Sequence, residues 1–346
     1  TDIALAGANL YAVGLLPDAE GVDKSGKRAQ SDGAFVFNNP TLDEGGKGER
    51  AALVASDGSL VYYVGREVAA VYALDGTAVW TQSDTFTQSS ISSINHANIA
   101  SGGAGVFWFG YRFIPNSASD SVPLIGRFNN DAEQLTNIFA PSTGSLVQGR
   151  VGASHLYITA RSFDSEYQVA KIEIRTVSPS DSSWLVWSAS PFPISRPTAL
   201  HVNSGENYVF VGIVPFAAGA RADRIVVLNA STGAEVASWA PGGGGVVQIN
   251  SITSNADGTV VYATGARGFG HEYNLWRFTF DGSDLTVTHQ VLDRNCGMSS
   301  EGNAIAFDGS NIYVGWAQED SRLASPLHKR GGSDLSVIWR QGVADA

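Results

Sequence analysis

At 346 residues, 43% of them hydrophobic and only 16% charged, the chain is long enough to bury a sizeable core and too apolar for disorder. Its formal net charge of -11 sets a mean field that repels nucleic acid and anionic membrane surfaces, so neither is expected as a partner. The longest apolar runs are strand-length, far short of the roughly 20 residues that cross a bilayer, so membrane insertion is not expected. Among 39 glycines stand 16 Phe, 11 Tyr and 8 Trp, a bias toward strands and tight turns. The single cysteine, Cys296, excludes an internal disulfide framework and is expected to be an inert thiol.

From Thr1 the chain reads as a strand, without the basic and apolar stretches of a secretory leader. A processed N-terminus is therefore expected, through loss of a leader or of an initiator methionine. A short strand with an aromatic second residue and usually a small last one comes first at Leu10-Tyr11-Ala12-Val13-Gly14. It returns at Val61–Gly65, Val106–Gly110, Leu156–Ala160, Tyr208–Gly212 (with its aromatics at the first and third residues), Val261–Gly265 and Ile312–Trp316, about every 50 residues, and the copies fill the chain.

Each copy follows another strand and a tight turn, clearest at Ala51–Ala55 with Asp57-Gly58, Ser251–Ser254 with Asp257-Gly258, and Ala304–Phe307 with Asp308-Gly309. Asp-Gly between apolar runs signals a hairpin, because glycine supplies the positive φ that such turns need. A third apolar run follows, as in Ala70–Leu74, Val122–Phe128, Val169–Ile174, Arg224–Leu228 and Leu275–Phe280. A shorter fourth ends near Trp80, Trp187, Trp239 or Trp339. Four antiparallel strands, A to D, in each of seven units predict an all-β fold: a single seven-bladed β-propeller over residues 1–346, with four-stranded antiparallel blades.

Blade 1 is the least regular. After Val13-Gly14 a polar stretch runs from Asp18 to Asp32, one strand is expected at Ala34–Phe37, and a second polar loop reaches Glu49. Its fourth strand has no obvious place, and Ser336–Arg340 is a candidate to help complete the ring.

Two stretches resemble the pyrroloquinoline-quinone-like propeller repeats: Val71-Tyr72-Ala73-Leu74-Asp75-Gly76-Thr77-Ala78-Val79-Trp80, and Ile225 through Gly233 to Trp239. The resemblance implies propeller architecture. The vicinal cysteine pair of that family's quinone enzymes has no counterpart beside the lone Cys296, so no quinone, and no other cofactor, is expected.

In such a blade the B–C loops and D–A connections share one face, and the A–B and C–D turns share the other. Arg66, Arg112, Arg161 and Arg267 each follow the end of a strand B, so symmetry gathers them around one mouth. Their planar donor forks suit carboxylate, sulfate or phosphate groups. The competing reading pairs each with a local acid such as Glu67, Asp164 or Glu272. Tyr111, Phe113, Phe269 and Tyr273 fall in the same loops and suit a protein or glycan interface, unless they plug the blade tops. On the other face, Asp57, Asp75, Asp257, Asp281, Asp308 and Asp334 are explained by turn chemistry.

The six histidines show no close pairing of the zinc type, and no calcium-loop motif is present, so no metal is expected. The run Gly242–Gly245 opens no helix and reads as a flexible loop. No nucleophile-elbow spacing selects a serine. These features predict a non-catalytic binding or assembly propeller that engages a protein or glycan partner through its B–C/D–A face, with a structural component of a virion or other large assembly as the narrower case. A virion, extracellular or periplasmic setting is favoured over the cytoplasm. The alternative is an extracytoplasmic propeller hydrolase or lyase acting on carbohydrate at the tunnel mouth.

Overall fold

A computed structural model describes residues 2–13, 26–30, 35–38, 51–65, 68–83, 94–103, 105–113, 121–128, 135–139, 146–161, 167–173, 185–189, 195–215, 224–241, 247–266, 273–291, 301–317 and 327–341. Among these residues the strands fall into seven sheets, each of four strands consecutive in the chain, and every pairing is antiparallel. Sheet 1 holds β1 (Asp2–Ala6), β2 (Asn9–Val13), β3 (Gly26–Ala29) and β4 (Phe35–Asn38). Sheet 2 holds β5 (Ala51–Ser56), β6 (Leu60–Gly65), β7 (Val68–Ala73) and β8 (Ala78–Ser83). Sheet 3 is β9 (Ile94–Gly102), β10 (Gly105–Phe113), β11 (Ser121–Phe128) and β12 (Leu135–Phe139). Sheet 4 is β13 (Leu146–Val151), β14 (His155–Arg161), β15 (Tyr167–Glu173) and β16 (Leu185–Ala189).

Sheet 5 comprises β17 (Ser195–Val202), β18 (Tyr208–Pro215), β19 (Ile225–Asn229) and β20 (Glu235–Trp239). Sheet 6 comprises β21 (Gln248–Ser254), β22 (Val260–Ala266), β23 (Leu275–Phe280) and β24 (Leu285–Val291). Sheet 7 ends the chain with β25 (Glu301–Phe307), β26 (Asn311–Ala317), β27 (Leu327–Gly331) and β28 (Val337–Gln341).

Blade 1 differs from its sequence reading. The stretch read as a polar loop contains β3, whose residues Gly26-Lys27-Arg28-Ala29 have no apolar alternation to announce a strand; its register against β2 is what organises it. The strand expected at 34–37 is β4, the fourth of the sheet. The C-terminal segment adds no strand to blade 1, since β28 pairs with β27 inside sheet 7, but Trp339 of β28 does reach the first sheet, donating to the Gln30 carbonyl at 3.1 Å.

The A–B turns form as their residues dictate. The Asp57 carboxylate accepts the backbone N–H groups of Ser59 and Leu60, both at 2.8 Å, and Gly58 takes φ +92°. Asp308 repeats this with Ser310 and Asn311, at 2.9 and 2.7 Å.

Two compact units emerge, one of Thr1–Asn38 with Ile194–Ala346 and the other of Asn39–Pro193. In the first, the A strands of successive sheets touch in the order β17, β21, β25, β1, so sheet 1 follows sheet 7. In the second the order is β5, β9, β13. The core lies between sheets. Phe210, Ile225 and Val227 of sheet 5 meet Ile249, Val261 and Phe278 of sheet 6, and Tyr208 stands edge-on to Phe280 at 4.8 Å. Phe107 and Phe109 of sheet 3 meet Val151, Leu156 and Ile158 of sheet 4. Sheets 2, 3, 5, 6 and 7 thus bury the aromatic of their B strand against the next sheet of the same unit, which a lone sheet could not do.

Candidate binding face

The A strands, which form a shared inner wall within each unit, are bent at equivalent places. In six sheets the register of strand A slips opposite the end of strand B: between Ala51 and Leu53, between Leu146 and Gln148, between Pro197 and Ala199, between Ile249 and Ser251, between Gly302 and Ala304, and opposite Phe109–Gly110. Each slip is a β-bulge, which leaves one residue outside the ladder and turns it toward a new direction. Thr198 and Asn250 are two such residues; the Thr198 hydroxyl donates to the Ile249 carbonyl of the next sheet, and Gln248 Nε2 donates to Asn250 Oδ1 at 2.8 Å. Arg196 is exposed at the same end of β17.

The bulge also explains the small residue that closes the repeated B-strand motif. A Cβ on Gly265 would run into the carbonyl oxygen of Gln248, and one on Gly212 would lie 2.7 Å from Cγ2 of Ile249. At Gly265 backbone approaches backbone and at Gly212 side chains of β17 and β21 close in, so neither position has room for a side chain.

The residues singled out in the sequence are distributed as follows. Tyr111, Arg112 and Phe113 are not loop residues: β10 continues through them, with Arg112 opposite Val122 and Ile94. Arg161 is the last residue of β14, opposite Tyr167, so it too belongs to the strand. These strands outrun the repeat motif because β11 and β15 start early enough to continue the ladder. Tyr273, read as a rim aromatic, is half-buried and packs against the cluster between sheets 5 and 6. Arg66, Arg267 and Phe269 lie outside the described residues.

The opposite end is occupied by turns whose acids are already engaged. Backbone N–H groups hold Asp257 and Asp281 below the usual carboxylate range, chiefly those of Thr259 and of Ser283 and Asp284. Burial alone would raise Asp57 and Asp308. Hydrogen bonds from backbone N–H groups and from the Tyr62 and Tyr313 hydroxyls outweigh it and lower both. Among the described residues no three His, Cys, Asp or Glu side chains gather as metal ligands would. His201 Nε2 lies 2.8 Å from Ser254 Oγ, but that hydroxyl donates to the Asn255 carbonyl at 2.9 Å. The imidazole therefore donates to the serine and does not activate it.

No family model and no curated protein sequence matches the chain. Solved structures do. A chain of the mitotic checkpoint complex superposes with a TM-score of 0.62 at 12% identity, covering 90% of this chain and 85% of that one. The β-propeller domain of Swd1 from Myceliophteria thermophila gives 0.53 at 10% identity, over 85% of this chain and 89% of that one. The chain is a β-propeller. Its sheets are four-stranded antiparallel blades, and Sqt1 from Chaetomium thermophilum, solved bound to the N-terminus of the ribosomal protein L10, is similar with a TM-score of 0.56 at 12% identity, over 98% and 86%.

Proposed function

We propose that this propeller is a non-catalytic binding or assembly module whose seven sheets are the blades of one closed ring, a single domain that engages a protein or glycan partner through the B–C/D–A face. The observation that carries the reading is the asymmetry between blade ends. At the A–B/C–D end, the aspartates are consumed by their own turns. At the other end, bulged inner strands present amide, hydroxyl and guanidinium groups, and Arg112 and Arg161 stand at the ends of neighbouring B strands.

Arg66, Arg112, Arg161 and Arg267 are the proposed anion-recognising rim, with Tyr111, Phe113 and Phe269 as its aromatic part and Tyr273 as the packing that supports it. Sqt1 lends support to a protein segment as the ligand, since that propeller is seen holding one. Membership of a larger assembly, a virion in the narrower case, and an extracellular or periplasmic setting belong to the same proposal. The strand–turn–strand units that end in Trp80 and Trp239 fit a pyrroloquinoline-quinone-like repeat ancestry.

The test is the fourfold Arg66→Ala, Arg112→Ala, Arg161→Ala, Arg267→Ala variant, assayed against sulfated and carboxylated glycans and for partner protein retained by the native chain. Binding is expected to fall at least tenfold with the unfolding midpoint unchanged. Retained affinity in a folded variant would discard the rim.

A further inference from the structure

The outer edges of the sheets repeat a feature that the binding face does not use. In every sheet strand D lies at the edge opposite strand A. In six sheets its register against strand C slips by one residue, which leaves that residue outside the ladder: Val36, Val79, Val186, Val236, Thr288 and Ile338. Each slip is a β-bulge, and among the described residues only β12 of sheet 3 pairs without one. Every bulged residue is β-branched, and five of the six are aliphatic.

The flanking positions do not share this constancy. The preceding residue is Phe35, Ala78, Leu185, Glu235, Val287 or Val337, and the following one is Phe37, Trp80, Trp187, Ala237, His289 or Trp339. The repeats have therefore drifted on both sides of a position that stays branched. Burial does not explain it. Val79, Val186 and Ile338 are 50%, 43% and 50% exposed, and with Leu185 and Val337 beside two of them they are all the large hydrophobic side chains exposed among the described residues. Thr288 is exposed too, while Val236 is half-buried against the cluster between sheets 5 and 6.

Edge strands are ordinarily blunted by charged side chains as well as by bulges. Here the bulges are present and the charge is scarce: of Asp, Glu, Lys and Arg, the D strands hold only Glu235 and Arg340. A bulge interrupts the row of backbone groups that a strand from outside would pair with, so these edges offer a branched apolar knob rather than a ladder. A single exposed valine needs no explanation; the same knob on sheet after sheet marks a contact surface.

We propose that the bulged outer edges are the surface through which copies of this chain pack side by side, the Val79, Val186 and Ile338 knobs of one copy seated against the outer edge of the next. This surface is separate from the arginine rim. Two molecules of net charge -11 repel over most of their surface, and the outer edge strands are where that charge is missing, so like copies approach there with least opposition. A partner engaged at one place needs one knob. Knobs repeated on successive sheets give one copy several equivalent contacts, which individually weak apolar seats need in order to hold.

Thr288 supplies the test, since it shows that the bulge accepts a threonine. Sedimentation of the full chain over a concentration series is expected to show average mass rising with concentration, with the Val79→Thr, Val186→Thr, Ile338→Thr variant needing at least tenfold more protein to reach the same mass. Added salt should strengthen the association by screening the repulsion, opposite to its effect on an anion at the arginine rim, and the fourfold arginine variant should associate as the native chain does. A native chain that stays monomeric to millimolar concentration would overturn the proposal and leave the knobs to a partner of another kind. Association that salt weakens, or a folded triple variant that associates as the native chain does, would overturn it as well. Should the triple variant fail to fold, Val79→Thr, Val186→Thr and Ile338→Thr singly are each expected to shift the series several-fold; unchanged association in all three would equally overturn it.

Discussion

The Asp at the tip of an A–B hairpin does more than permit a turn. Asp57 holds two backbone N–H groups and receives the Tyr62 hydroxyl at 2.7 Å, and Asp308 does the same with Tyr313 at 2.9 Å. Burial and then the carboxylate push both tyrosines up, so these hydroxyls remain protonated donors throughout the neutral range. Replacing Asp57 by Asn should cost about 1 kcal/mol, since a charge-assisted hydrogen bond is lost at a partly solvated site. Urea unfolding followed by tryptophan fluorescence would measure it.

The pH dependence has a definite sign. Asp57, Asp257, Asp281, Asp308 and Asp334 all have folded values below the ordinary one of 3.8, so the unfolded chain binds protons that the folded chain does not. Their stabilisation is complete above about pH 5 and drains away as pH falls through the lowered folded values. The urea midpoint should therefore hold from pH 7 to 5 and drop below about pH 4, with a shallower drop in the Asp57→Asn, Asp308→Asn double variant.

At the scale of the element, the decisive feature is the bulge in strand A. At sheet 6 it brings the Gln248 carbonyl onto Gly265, and that position can be tested against a turn glycine. Gly265→Ala places a Cβ against backbone that cannot move aside and should cost about 2–4 kcal/mol. Gly58→Ala, in open space at φ +92°, should cost only about 1 kcal/mol. Similar losses at both, measured by chemical denaturation, would show that the bulged strand yields. A cross-strand row of Tyr, Lys and Trp is a second recurring element: Tyr157, Lys171 and Trp187 in sheet 4 match Tyr313, Lys329 and Trp339 in sheet 7, with the ammonium 5.4 and 5.5 Å from the respective tyrosine centroid.

For the whole molecule, the proposed ring makes a global expectation. A single compact body of 346 residues should have a radius of gyration of about 20 Å. Small-angle scattering would return a clearly larger value if the two units moved independently. With a net charge of -11 overall, an anionic ligand would be drawn to the proposed arginine rim only at short range. Affinity should therefore fall as salt rises toward 0.5 M, where the Debye length shrinks to about 4 Å.

The strand order, the hairpins and the four-strand unit were legible in the residues because each depends on local chemistry. Alternation marks a half-buried strand, an aromatic second residue marks the face turned to the next sheet, and Asp-Gly marks the turn. The strand β3 was not legible, since Gly-Lys-Arg-Ala carries no apolar pattern and owes its place to pairing with β2. Nor was the extent of β10 and β14, which turned Tyr111, Arg112, Phe113 and Arg161 from loop residues into strand residues. Only the tertiary structure revealed that Tyr273 serves the packing, that strand A bulges, and that Trp339 reaches Gln30. Each of these depends on a partner distant in sequence, and a short pattern carries information about its neighbours along the chain but none about the backbone that folds against it.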